Sequence, residues 1–216
     1  MPKRNVTVIS HSVLTNHRIV AQAEEAFPDA AFHMTTPQLS DLVHLSADPT
    51  KQNAPPLLTQ LQAYAQIILA HPEYRARYWS VAQQLKATHA DNVYVLEALA
   101  DEALQRHNPE GASLAIRYLQ DAIHRGATHP SDFEELADLL VAAKRLSEAV
   151  DVLRQGMVSA PYDAELYRRA TKVCFALNEG KEACAVAAQG VQRFPQDDEF
   201  RTLLNRCGTA AGGMNN

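Results

Sequence analysis

Aromatic residues make up only 6% of the 216-residue sequence, with three cysteines and eight glycines. So few aromatics argue against a sheet-rich fold, because strands draw on aromatic and β-branched side chains. Ala and Leu recur throughout, which favours helices. Glycine is far too scarce for a collagen-like chain, and the apolar share of 46% is too high for a disordered one. Cys174, Cys184 and Cys207 are too few and too widely spaced for a zinc site or a disulfide framework. Their expected role is that of small, buried apolar side chains. Basic charge is also short: 20 Lys and Arg face 25 Asp and Glu, a net charge of −5 with histidine neutral. A general nucleic-acid binder needs a basic surface to displace counterions, so that class is disfavoured. No run approaches the roughly 18 apolar residues of a spanning helix. The start, MPKRNVTVIS, has no apolar stretch of the secretory type, so the chain as written is expected to stay in the cytoplasm. Also missing are the G-x-S-x-G elbow, H-E-x-x-H, the phosphate loop and the dinucleotide fingerprint, leaving no constellation that a catalytic mechanism requires. The expectation is therefore a chain that is not an enzyme.

What the sequence does contain is a period. Pro161 and Pro195 lie 34 residues apart, and each is followed within two or three positions by Asp. Counting back from each proline gives matching series of large and small residues. Over 130–163 these are Phe133, Leu136, Ala137 and Leu140, then Ala149, Leu153 and Gly156. Over 164–197 they are Tyr167, Ala170, Thr171 and Cys174, then Ala183, Ala187 and Gly190. The spacings trace one face of an α-helix in each half-unit. Small residues opposite bulky ones let two antiparallel helices approach closely, and the proline ends the second helix. Lys144-Arg145 and Asn178-Glu179-Gly180 supply the short polar turns between helices. A single helix pair cannot bury its own apolar face, so such units must stack.

This arrangement over 130–197 resembles the tetratricopeptide repeat (TPR) family, with Phe133 in place of the usual Trp and Ala137 in place of the usual Gly. An earlier unit over 93–129 fits the same scheme. Leu96, Leu99, Ala100 and Ala103 take the first-helix positions, and Ala115, Leu119 and Ala122 the second-helix ones. The stretch RHNPEGAS reads as an extended turn, about three residues longer than the repeat consensus. Helical spacing over Pro56–Ala70 and Pro72–Thr88 suggests a degenerate pair in 56–92 carrying Tyr74, Tyr78 and Trp79. Residues 198–210 read as a capping helix and 211–216 as a frayed tail. The fold class expected is all-α: a TPR-like α-solenoid with a right-handed superhelix and an irregular N-terminal extension over 1–55.

The resemblance implies a protein or peptide partner held in a concave groove lined by the first helix of each unit. The groove positions are Glu97 and Asp101, then Glu134 and Asp138, then Arg168 and Lys172, with Arg206 on the cap. Such a groove is acidic at one end and basic at the other. Some TPR domains clamp the terminal carboxylate of heat-shock chaperones with Lys and Asn from successive units. No such pairing repeats here, and Glu134 and Asp138 stand in its place.

The first 55 residues break the helical period. A short strand is expected at Val6–Ile9, and four of the nine histidines fall here: His11, His17, His33 and His44. The stretch SHSVLTNHRI, placed ahead of TPR-like pairs, resembles a region of bacterial multihaem c-type cytochromes that joins the haem part to a TPR array. The resemblance implies that His11 or His17 is an axial ligand to a haem carried elsewhere, in a periplasmic or extracellular electron-transfer assembly. No C-x-x-C-H motif occurs, so this chain alone attaches no haem covalently and is expected to bind no cofactor by itself.

Overall fold

A computed structural model describes residues 3–5, 13–15, 42 and 55–212. The chain divides into two compact units, Met1–Ser40 and Asp41–Asn216. In the first, β1 (Lys3–Asn5) pairs antiparallel with β2 (Val13–Thr15), Arg4 opposite Leu14. The strand expected at Val6–Ile9 lies outside the described residues.

The second unit is built from helices. They are α1 (Leu57–Ile67), α2 (Arg75–Leu85), α3 (Val93–Leu104), α4 (Pro109–His124), α5 (Pro130–Ala142), α6 (Leu146–Ser159), α7 (Ala164–Ala176), α8 (Gly180–Arg193) and α9 (Asp198–Gly212). A 3-10 turn, Pro72–Tyr74, precedes α2. Odd and even helices pair antiparallel, and each even helix packs on the next odd one, ending with α9 on α8. This is the stacked architecture expected of an α-solenoid, and helix α9 runs on to Gly212, past the point where fraying was expected.

Helix boundaries follow from local chemistry. The Asp that follows each repeat proline starts the next helix: Asp163 Oδ1 accepts from the backbone N–H of Glu165 at 2.9 Å and of Leu166 at 3.3 Å. Asp197 Oδ1 accepts from Glu199 N–H at 3.0 Å in the same way. Such caps satisfy donors that the first helical turn leaves without partners. The turns within units need a left-handed residue, supplied by Lys144 (φ 62°) and Asn178 (φ 59°). Gly180 is the first residue of α8 and has no positive φ, so Asn178 takes the conformation for which glycine is usually recruited.

The RHNPEGAS stretch differs from its sequence reading. Asn108 caps α4 through Gly111 N–H at 2.7 Å, and Pro109 is the first helical residue. α4 therefore runs to 16 residues against 14 in α6 and α8, and the turn before it, 105–108, is only one residue longer than 143–145 or 177–179. Proline at that position loses no hydrogen bond, which is why a dipeptide that signals a turn also opens a helix.

Two large core clusters fill the stack, with a small third one of Leu96, Ala122 and Ala127. One joins α1, α2 and α3 around Leu61, Tyr64, Tyr78 and Leu99. The other runs from α3 to α9 through Leu119, Phe133, Leu153, Leu166, Tyr167 and Phe200. Glycines on the even helices set its closest approaches. A β-carbon at Gly156 would stand 2.9 Å from the Phe133 ring and 3.1 Å from Leu166. One at Gly190 would overlap the Phe200 ring outright. Thr171, fully buried, turns its hydroxyl onto the Tyr167 carbonyl at 2.8 Å, so it enters the core with its donor satisfied.

The cysteines correct the sequence expectation. Cys184 on α8 and Cys207 on α9 form a disulfide across 23 residues, while Cys174 alone is free and buried. Their distance in sequence hid the pairing, because α8 and α9 are antiparallel neighbours whose Cα atoms come within 5.8 Å at this point.

Four outcomes follow from this packing and from the disulfide. Gly190→Ala should destabilise the chain by about 1–3 kcal/mol in chemical denaturation, because the methyl must displace Phe200. Gly180→Ala, which meets nothing within 4 Å, should be neutral or stabilising by up to about 1 kcal/mol. Reduction of the disulfide, or the Cys184→Ser/Cys207→Ser double variant, should cost about 2–4 kcal/mol. Amide exchange should show α9 losing its protection before the rest of the stack.

Candidate functional site

The odd helices α3, α5 and α7 present the residues that the sequence marked as groove-lining, and the structure shows what each one touches. At the C-terminal end, the basic charges are met by the cap. Arg168 reaches Asp197 at 2.5 Å, Glu165 at 2.9 Å and Glu199 at 3.6 Å, and lies 5.7 Å from the centroid of the Phe200 ring. Lys172 Nζ is 2.9 Å from Glu199. Arg206 stacks its guanidinium 4.8 Å from the centre of the Phe175 ring. The basic end expected from sequence is thus largely neutralised within the chain, because α9 brings acids that a linear reading assigned to no site.

The next step of the stack repeats the device. Arg169 of α7 sits among Glu134 (3.7 Å), Asp138 and Glu165 (3.0 Å). Burial pushes the Glu134 carboxyl above its ordinary range, and Arg169 opposes that shift. Sequence reasoning passed over Arg169. The signal was available, since it lies one residue after Arg168 and can face back toward α5 while Arg168 faces forward to α9.

The step between α3 and α5 is different. Glu97 and Asp101 on α3 are met from α5 by Asp132, Glu135 and Asp138, all acids. Asp132 is buried at 8% exposure. No donor from outside this pair reaches its Oδ2 or Glu97 Oε1. The two carboxyls bond to each other, which requires a shared proton. Burial, and then Asp132, push Glu97 up to about 8, so Glu97 carries that proton and donates it to Asp132. Burial also raises Asp132, opposed by His129 and by the bond from Glu97. Glu135 is raised by desolvation and then by Asp101, Asp132 and Asp138, with Arg75 opposing. From α2, the buried Tyr78 phenol is made a weaker acid by its burial and by Glu97, Asp101 and Asp132. Arg75 Nε stands 3.6 Å from Asp101, and the Trp79 indole N–H donates to the same carboxylate at 2.7 Å.

On the even-helix side, an open cleft of about 670 Å³ lies between α4 and α6, with Asp121, His124, Glu148 and Asp151 around it. No group of three or more metal-ligating side chains comes together among the described residues. None of their helices is long and apolar enough to cross a membrane. His11 and His17, the candidate haem ligands, lie outside the described residues.

The carboxyl pair makes stability depend on pH. Glu97 has an ordinary value of 4.5 and a folded value of about 8, so between these the folded chain holds a proton that the unfolded chain has released. Stability must then fall as pH rises through this window, by an amplitude on the order of a few kcal/mol. Denaturation at pH 5, 7 and 9 should show the decline. Glu97→Gln, which still donates to Asp132, should flatten it.

No protein-family profile and no curated protein matches the chain. Solved structures do. YrrB, a TPR protein with an unusual peptide-binding site, superposes with a TM-score of 0.59 at 11% identity over 76% of this chain and 80% of its own. The MamA protein gives 0.57 at 13% identity over 72% of this chain and 83% of its own. The Cut9–Hcn1 hetero-tetramer of the APC/C gives 0.53 at 18% identity, over 70% of this chain and 29% of that one. At these identities the likeness concerns the backbone: the second unit has the TPR-type α-solenoid fold.

Proposed function

We propose that this chain is a non-catalytic binding scaffold that holds a peptide or protein segment along the face formed by α3, α5 and α7. The observation that carries this reading is the row of charged side chains on that face, each fixed by a partner from the neighbouring helix. Arg169 is held by α5, Arg168 and Lys172 by the α9 region, and Asp101 by α2. Charges held this way lose little further freedom when a ligand docks, which lowers the entropic cost of binding. Their arrangement would select partners by electrostatic complementarity more than by buried area. YrrB shares the fold and has a peptide-binding site, which supports a ligand of the same kind here. The Cys184–Cys207 bond supports an oxidising setting, since such bonds persist where thiols are not kept reduced.

The test is a random 12-residue peptide library selected against the immobilised full chain. Peptides that bind should lose about tenfold or more in affinity against Asp101→Lys or Asp138→Lys. Gln155→Lys on α6 should leave them unchanged. Binding that instead tracks Gln155, or a library that yields no binder, would overturn the reading.

A further inference from the structure

Helix α9 has a small buried hold on its neighbours. Among its described side chains only Phe200 and Leu203 are buried, whereas α7 buries six residues. Phe200 lies directly on the α8 backbone at Gly190, where a β-carbon would overlap its ring, and it stacks on Phe194 at 5.6 Å between centroids. The rest of the attachment is polar or covalent. Asp197, just ahead of the helix, and Glu199 hold Arg168 and Lys172 of α7, and Arg206 covers the Phe175 ring. Cys207 is bonded to Cys184 of α8, and both cysteines are half-buried rather than enclosed.

Two features of this attachment point beyond a structural brace. First, α9 sits on the α7 end of the scaffold face itself, where it neutralises the two cations of α7 and covers the aromatic ring beside them. The seat therefore already receives one occupant of defined chemistry: a helix that sets acids, Asp197 and Glu199, next to a large apolar anchor, Phe200. Second, ion pairs open to solvent contribute little each, and two buried apolar side chains are a small grip for a 15-residue helix. Closure of the 23-residue loop between the cysteines carries much of what keeps α9 seated. A bond of this kind favours the closed form by roughly 30- to 1000-fold.

We propose that the Cys184–Cys207 bond is a redox latch: closed, it holds α9 over the α7 end of the face; opened, it lets an acidic amphipathic segment of a partner, anchored by Phe or Leu, take α9's place on Gly190, Arg168 and Lys172. Opening is a thiol–disulfide exchange. A dithiol reductant attacks one sulfur as its thiolate, passes through a mixed disulfide and leaves as its own disulfide, while Cys184 and Cys207 each end as a protonated thiol. Cys174 is fully buried on α7 and stands outside this exchange. The inference goes beyond the scaffold reading, since it adds a conditional second site at one end of the face and the kind of partner that fits it.

The probe is a labelled synthetic peptide with the sequence of residues 196–206, titrated into the full chain by fluorescence anisotropy. The chain reduced with a dithiol should bind it at least about tenfold more tightly than the oxidised chain, and the Cys184→Ser/Cys207→Ser chain should behave as the reduced one. Within the peptide, Glu199→Lys or Phe200→Ala should each weaken binding to the reduced chain by about tenfold or more. Amide exchange should show α9 opening on reduction while α7 keeps its protection. Equal affinity in the two redox states, or binding in neither, would overturn the latch, as would circular dichroism showing that reduction melts the whole stack. Peptide binding that ignores both substitutions would overturn the assigned seat. The library selection reads Asp101 on α3 and Asp138 on α5, so the scaffold reading stands or falls separately from this titration.

Discussion

Everything in the helical unit depends on how closely one even helix can approach the odd helices on either side of it. Gly156 and Gly190 set that distance, because the Phe133 and Phe200 rings and Leu166 occupy the volume a β-carbon would take. The close approach has two effects. It buries large side chains in a continuous core that no single pair could build. It also brings successive odd helices near enough for side chains of ordinary reach to meet across the step, such as Arg169 with Glu134 and Arg168 with Asp197. The charge ladder is thus a consequence of the core packing beneath it.

Within that ladder, most exposed charge serves the chain itself. Ion pairs with solvent access contribute little to stability individually, roughly 0–1 kcal/mol each. Their larger effect is positional, since each fixed charge becomes a defined feature of the surface. The α3–α5 step departs from this scheme because acids face acids there, and the chain resolves the repulsion with a shared proton.

Much of the fold was legible in the residues. The two prolines and the recurring small and large positions specified the pairs, because a helix interface leaves its period in the chain that forms it. The RHNPEGAS reading erred for an understandable reason: Asn-Pro and Gly signal a turn, yet Asn108 caps the helix and Pro109 opens it. The candidate site was legible only in part. Glu97, Asp101, Glu134, Asp138, Arg168 and Lys172 were identifiable from their repeat positions. Asp132, Glu135 and Arg169 were not, since each owes its role to what the adjacent helix presents.

By itself, the sequence determined the repeat length, the helix pairing and which face each helix buries, since these rest on local spacing and side-chain size. The tertiary structure alone decided which charges cancel and which do not, and that Cys184 pairs with Cys207. Both are properties of distance between elements. Electrostatic and covalent partners are chosen by angstroms in space, and a linear spacing records them only where the repeat carries the same partner into every unit.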